Sequence, residues 1–235
     1  MGAVLETVTI ICGIVDLVMF GLATFFAVMG TIKAMKQENK WVMVLCACMA
    51  FATLYYWFLV LLDICGIGGL LSNSLALSFW QMAFALTWWL IGYLYMAVAF
   101  KTENADGTLK ILNLVNYVFC AVIIVCNLLG GILGIFALLD LIFFVVRWAA
   151  ALGIVYALYK MKGKNYGEFM NEKKWKMHFF LLVVYFLCLA YITIARFITF
   201  GDVLLTIFVI VTTLFSIAYL GIWTVSYTHL RAHET

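Results

Sequence analysis

Charged side chains inside long apolar runs are the residues of this sequence with the clearest chemical potential. Asp16 stands in the first such run, and Asp140 and Arg147 share the run 136–161, whose other residues are almost all apolar. If these runs lie in lipid, each charge is costly unless it meets an opposite charge or a water-filled cavity. Such a residue indicates an ion pair, or a site at which an ion, a proton or an anionic solute binds.

The composition indicates a membrane protein. Of the 235 residues, 68% are hydrophobic and 11% are charged, whereas average globular domains have roughly 45–50% apolar and about 25% charged residues. A soluble domain of this length could not bury so much apolar surface. The net charge of only +3 gives no reason to expect a nucleic-acid partner. We therefore expect the lipid bilayer to be the main partner of the chain.

No residue pattern predicts an enzyme, a cofactor or a metal site. The sequence contains no Gly-x-Ser-x-Gly, His-Glu-x-x-His or phosphate-binding glycine loop, so no catalytic nucleophile is recognisable. His178 stands beside lysines at the start of an apolar run, where a solvated histidine is commoner than a general base. The seven cysteines lack Cys-x-x-Cys spacing, and we interpret them as small packing residues.

Seven apolar runs are long enough to cross a hydrocarbon core of roughly 30 Å as helices. They cover residues 5–32, 41–64, 75–100, 109–129, 136–160, 177–200 and 202–224. We therefore predict an all-α fold, a single membrane domain of seven transmembrane helices over residues 1–224. Only the glycine-rich stretch 130–134, predicted to be a turn, separates the fourth and fifth spans.

The lysines predict the orientation of this bundle. Every lysine lies in the connections one–two, three–four and five–six, or at the adjoining ends of the spans. The connections on the opposite side contain neither lysine nor arginine. Because positively charged connections mark the cytoplasmic side, we predict a multi-pass protein of the cytoplasmic membrane, with its N-terminus outside and residue 224 inside.

Acidic residues and two arginines fall in the opposite, outer half. Asp16 and Arg147 each lie about eleven residues below the outer end of their span, which is roughly 16 Å at the helical rise. Equal depth and opposite charge make them a candidate pair. Two interpretations stay open, a structural ion pair and a site that binds an ion, a proton or an anionic solute. Asp140, Arg196 and Asp202 belong to the same half and join the candidate site.

Aromatic residues are dense in the second and third spans. We single out Tyr56, Trp89 and Tyr93 as candidate walls of a ligand site, with their polar tips turned inward. The alternative is ordinary core or interface packing, because Tyr and Trp donors find partners readily within a helical bundle.

The layout is similar to that of the microbial rhodopsins. Lys40-Trp41 after a short basic turn, Trp57 in the second span and Asp202 early in the seventh carry this resemblance. That family holds retinal on a lysine four residues beyond the aspartate, and Thr206 stands there in this sequence. Covalent retinal is therefore not expected. The layout also resembles that of bacterial seven-span sensory modules, which precede a cytoplasmic kinase or cyclase domain.

The stretch 225–235, VSYTHLRAHET, departs abruptly from the composition before it. It resembles one reading frame of a transposase adaptor used in sequencing libraries, so we interpret it as a non-native tail. The alternative is a natural polar tail. On the first interpretation, the natural chain continues differently after residue 224.

These features favour a sensory or receptor-like membrane module whose outer-half cavity has Arg147 as its central charge. Its output domain would follow residue 224. A small-solute or ion transporter or channel is the second hypothesis, and a non-catalytic accessory subunit is the third. The partners expected are a small molecule or ion, other membrane helices, or the missing cytoplasmic domain.

Overall fold

The described part of the chain is helical. The computed structural model describes residues 2–36, 40–65, 74–102, 105–163, 172–195, 203–204, 206–207 and 209–214. Its helices are α1 (Gly2–Lys36), α2 (Lys40–Ile64), α3 (Ser74–Thr102), α4 (Asp106–Leu133), α5 (Phe136–Met161) and α6 (Glu172–Ala195). No strand occurs among these residues, and the predicted all-α class is confirmed.

Five of these helices, α1 to α5, are long and apolar enough to cross a membrane. Helix α6 contains a shorter apolar stretch, Trp175–Tyr191. The seventh predicted span is described only in short helical pieces between residues 203 and 214. The described residues therefore form a helical protein with five candidate membrane spans, while the count of seven and the orientation stay predictions.

The boundary between the fourth and fifth spans differs from the predicted one. The stretch 130–134 is not a turn throughout, because α4 continues to Leu133 and ends at Gly134, whose φ is 69°. This left-handed conformation suits glycine at the end of a helix. Gly130 serves close packing instead, since a Cβ there would lie 2.5 Å from Cγ of Leu139. The sequence pattern did not distinguish a glycine that ends a helix from one that lets two helices meet.

Helix α3 is the central helix of the compact unit Thr24–Gly163. It packs against α2, α4 and α5. Helix α3 comes close to the backbone of α5 at Gly92, where a Cβ would lie 3.0 Å from the carbonyl oxygen of Ala150. Small residues at such contacts allow two helix backbones to come close, which is a common mode of packing in membranes. Within the same unit, Thr24 of α1 donates a hydrogen bond of 2.9 Å to the hydroxyl of Thr53 in α2.

The second compact unit comprises Met1–Ala23 and Lys164–Thr235. Its helix α6 begins with an ion pair between Glu172 and Lys176, in which Oε1 and Nζ are 2.7 Å apart. The hydrogen bond from Lys176 is the main reason why the pKa of Glu172 lies below its ordinary value. Both side chains are exposed, so this pair adds little to stability.

Helix α4 turns two of its asparagines toward the protein. Its buried residues include Asn116 and Asn127, whereas large apolar side chains such as Leu114, Val118 and Val122 are exposed. In water this distribution would be unfavourable. In lipid it is the expected one, because a polar side chain in the hydrocarbon region favours the interior of the bundle.

Candidate functional site

Four of the candidate residues, Tyr56, Trp89, Tyr93 and Arg147, separate into two clusters. The arginine cluster consists of Tyr56, Trp80, Phe84, Phe144 and Arg147. The amide cluster consists of Trp41, Trp89, Tyr93, Asn113, Asn116, Tyr117 and Phe119. Both lie within the unit Thr24–Gly163.

Arg147 lies near the middle of α5, and its side chain is buried, with 8% exposed. The central carbon of its guanidinium is 5.9 Å from the ring centroid of Phe84 in α3 and 5.9 Å from that of Phe144 in its own helix. Phe144 precedes Arg147 by three residues, a spacing that places both on one helix face. Aromatic rings attract a cation through their negative faces, and this attraction reaches about 2 kcal/mol when water is excluded.

Stacked aromatic rings connect the arginine to α2. Phe84 stacks on Trp80, one turn earlier in α3, with 5.3 Å between their centroids. Trp80 in turn stacks on Tyr56 at 4.7 Å. The indole Nε1 of Trp80 is buried and donates to no partner among the described residues. The structure therefore brings together two of the predicted residues, Tyr56 and Arg147, through two that the sequence did not single out.

Two of the three acidic candidates, Asp140 and Asp16, are described by the structure. Asp140 lies in α5, seven residues before Arg147, and is half-buried. Asp16 lies in α1, also half-buried, within the unit that contains Met1–Ala23. Because Asp16 and Arg147 belong to different compact units, their pairing stays a prediction. Arg196 and Asp202 lie outside the described residues.

Trp89 and Tyr93 occupy the amide cluster instead. Trp89 Nε1 donates to Oδ1 of Asn116 at 2.9 Å, and the Tyr93 hydroxyl donates to Oδ1 of Asn113 at 2.6 Å. Each bond joins α3 to α4. Trp89 also stacks on Phe119, with 4.2 Å between ring centroids. The polar tips of both aromatic residues are thus held by amide oxygens.

Trp41 joins α2 to this cluster through its ring. Its centroid is 5.4 Å from that of Tyr93 and 4.7 Å from that of Tyr117. Trp41 directly follows the exposed Lys40 at the start of α2. The three helices α2, α3 and α4 therefore meet around aromatic and amide side chains near their lysine-bearing ends.

The asparagines of α4 were missed as site residues. Asn113, Asn116 and Asn127 are the amide residues of an otherwise apolar span, and their spacings of three and eleven place them near one helix face. That signal could have identified the face of α4 that meets α3. Asn127 is 1% exposed, and neither atom of its amide has a hydrogen-bond partner among the described residues.

The two clusters offer different chemistry. The arginine cluster presents a permanent cation with aromatic walls, which suits an anion. The amide cluster presents neutral hydrogen-bonding groups beneath lysines. In the described part of the chain, no group of three His, Cys, Asp or Glu side chains is placed to hold a metal ion. No protein-family model, no curated protein and no solved structure matches this chain.

Proposed function

We propose that this chain is a receptor-like membrane module that binds a small anionic ligand at Arg147. The burial of its guanidinium between Phe84 and Phe144, near the middle of α5, supports this best. A guanidinium stays charged in proteins and presents a planar set of donors that matches a carboxylate. The faces of Phe84 and Phe144 attract the guanidinium electrostatically, and they are themselves uncharged.

Of the remaining predicted residues, Asp140 has a place in this proposal, because it would set the local field along α5. Tyr56 and the rings of Trp80 and Phe84 would form an apolar wall that favours a ligand with a planar, apolar body. The indole N–H of Trp80 would offer such a ligand one further donor.

Signal transfer would use the contact between α3 and α5. Ala150 follows Arg147 by three residues and packs against the backbone at Gly92. A ligand that preferred one position of Arg147 would therefore also favour one position of these two helices. The shift of α3 and α5 would move the lysine-bearing end of α5, and an output domain after residue 224 would respond to that movement.

The test measures thermal unfolding of the purified protein with sodium benzoate, sodium acetate or sodium chloride at equal ionic strength. We expect benzoate to raise Tm most, because it combines a carboxylate with an aromatic ring. Arg147→Gln should abolish this shift. Lys160→Gln is the matched control, since Lys160 makes the same kind of contact, with Nζ 5.8 Å from the Tyr156 ring, at the end of the same helix.

Three outcomes would contradict the proposal. These are equal shifts with all three salts, no shift with any of them, and loss of the benzoate effect in Lys160→Gln. If Arg147→Gln does not fold, Phe84→Leu replaces it and should weaken the benzoate effect without removing the charge. Accumulation of labelled benzoate in proteoliposomes, abolished by the same variants, would indicate a transporter instead of a receptor.

A further inference from the structure

Asn127 of α4 is a buried amide without a hydrogen bond. Its side chain is 1% exposed, and within the described residues neither Oδ1 nor Nδ2 has a hydrogen-bond partner. Burying an amide without partners is costly, and between membrane helices no bulk water reaches the group to reduce that cost. The residues that face Asn127 across the helix contact therefore indicate what bonds to its amide.

The antiparallel packing of α3 and α4 places Ser78 opposite Asn127. Trp89 of α3 donates a hydrogen bond to Asn116 of α4. Ser78 lies eleven residues before Trp89, and Asn127 lies eleven residues after Asn116. Eleven residues are about three turns of an α-helix, or roughly 16 Å, so each step returns to the same face of its helix. Because the two helices run in opposite directions, both steps lead to the same level.

A second contact between α3 and α4 supports this register. A Cβ at Gly131 would lie 3.4 Å from Cδ1 of Leu75, so the two helices still touch beyond Ser78 and Asn127. Ser78 is itself buried, with 3% exposed. Ser78 and Asn127 therefore lie between two points at which the helices are in contact.

The size of the α3 residue explains why Asn127 differs from Asn116. The long indole of Trp89 reaches the amide of Asn116, with 2.9 Å between Nε1 and Oδ1. Serine is much shorter, and the Ser78 hydroxyl donates to the carbonyl oxygen of Leu75 at 2.8 Å. Toward α4, Ser78 can therefore only accept a hydrogen bond, and it makes no direct bond to the Asn127 amide.

We propose that ordered water lies between Ser78 and Asn127 and bonds to both. The water donates a hydrogen bond to Oγ of Ser78, because the proton of that hydroxyl is already donated to Leu75. Since water both donates and accepts, it can bond to either atom of the Asn127 amide. Buried waters typically make about three hydrogen bonds to polar groups that lack other partners.

This water gives the contact between α3 and α4 two different halves. The hydrogen bonds from Trp89 and Tyr93 are direct and lie in the half that contains the lysine-bearing ends. The bond between Ser78 and Asn127 lies in the opposite half and is mediated by water. No residue of the arginine cluster takes part in it.

A crystal structure of the full chain, grown from a lipid phase, tests the site directly. We expect a density peak about 2.7–3.2 Å from Oγ of Ser78 and from one atom of the Asn127 amide. Asn127→Leu should remove this peak, because it removes the amide and fills the space with an apolar side chain. No peak in the unsubstituted protein, or a direct bond between Ser78 and Asn127, would overturn the proposal.

Thermal unfolding in detergent measures the link between the two residues. Ser78→Ala removes one partner of the water and should lower Tm by about 2–4 °C, the shift expected for the loss of one hydrogen bond in a chain of this size. In the Asn127→Leu background, Ser78→Ala should lower Tm by less than half as much, because the water is already lost.

Thr87→Val is the matched control. Thr87 is also a buried residue of α3 whose hydroxyl donates to a backbone carbonyl one turn earlier, that of Ala83 at 2.8 Å. It lies nine residues after Ser78, on the opposite face of α3. Thr87→Val should therefore change Tm equally in both backgrounds. Equal effects of Ser78→Ala in both backgrounds, or the same dependence on Asn127 for Thr87→Val, would contradict the water-mediated bond.

Discussion

A mid-span arginine is stabilised in this chain by rings from two helices. Phe144 comes from the helix of Arg147, but Phe84 comes from α3, so the contact with Phe84 joins α3 to α5. The stabilisation from the contact between Phe84 and Arg147 can be measured. The hydrogen bond between Trp89 and Asn116 is likewise an interaction between two side chains, and its energy can be measured in the same way.

The first prediction concerns coupling between Phe84 and Arg147. In a double-mutant cycle of Phe84→Leu and Arg147→Met, we expect a coupling energy of about 0.5–2 kcal/mol, because the ring stabilises only the charged partner. Unfolding of the purified protein in mixed micelles measures it. A cycle of Phe119→Leu with Arg147→Met is the control and should give additive effects. Additivity in the Phe84 cycle would contradict the assigned contact.

The second prediction concerns the hydrogen bond from Trp89 to Asn116. The cycle of Trp89→Phe with Asn116→Leu should show a coupling energy of about 0.6–2 kcal/mol, the range for hydrogen bonds between membrane helices. Asn116→Leu alone should cost most, since it leaves the indole N–H buried without an acceptor. The same micelle unfolding measures both. If the stability lost in the double variant equals the sum of the losses in the two single variants, the two residues do not form this bond.

At the scale of helices, α3 and α5 pack with their backbones close together. The contact at Gly92 involves backbone atoms of Ala150, which cannot move aside without moving α5. Gly153, on the same helix as Ala150, faces Met96 instead, and a Cβ there would lie 3.4 Å from its Sδ. The two glycines therefore respond differently to the same added methyl group.

The third prediction compares these two glycines. Gly92→Ala should destabilise the protein by about 1–3 kcal/mol, because overpacking forces the backbones apart. Gly153→Ala should be neutral or stabilising by up to about 1 kcal/mol, since a flexible methionine yields and alanine favours the helix. Thermal unfolding of both variants provides the comparison. Equal effects would mean that α3 and α5 do not meet at Gly92.

The helices could be predicted from sequence because each is a long apolar run, but their contacts could not. In a membrane, both the lipid and the protein interior are apolar, so hydrophobic periodicity does not reveal which face of a helix is buried. Arg147 was identifiable as a charge in an apolar run, whereas Phe84 and Trp80 look like any aromatic residues of α3. The asparagines of α4 are the exception, since a polar stripe in an apolar span does reveal the buried face. Gly130 is helical and packs against Leu139, whereas Gly134 is left-handed and ends the helix. The sequence did not distinguish the two glycines, so the boundary there was predicted wrongly.

At the scale of the molecule, the lysines define one end. Within the unit Thr24–Gly163, the ends of α1, α3 and α5 and the start of α2 and α4 all bear lysine, and no described lysine lies at the opposite ends. This distribution follows from alternating helix direction, and it underlies the prediction that these ends face the cytoplasm.

The fourth prediction tests this orientation. A membrane-impermeant amine reagent should modify the exposed Lys40, Lys101 and Lys110 in inverted vesicles but not in right-side-out vesicles. The control is Cys65, which is exposed just beyond the other end of α2. An impermeant maleimide should modify it with the opposite preference, because about 25 helical residues separate it from Lys40, or roughly 37 Å. Labelling of these lysines in right-side-out vesicles would reverse the assignment, and labelling in both kinds of vesicle would exclude a single orientation.

Because α2, α4 and α5 surround α3, that helix is sheltered from lipid, and of the five candidate spans it has the lowest mean hydropathy. Its entry into the bilayer during synthesis should therefore depend on its neighbours more than that of α1 or α4, whose own apolar surface is sufficient. An α3 segment that leaves the ribosome before α4 and α5 exist has only earlier helices to protect its tryptophans and tyrosines. The folding of this protein in the cell would then depend on the time between the insertion of α3 beside α2 and the synthesis of α4 and α5.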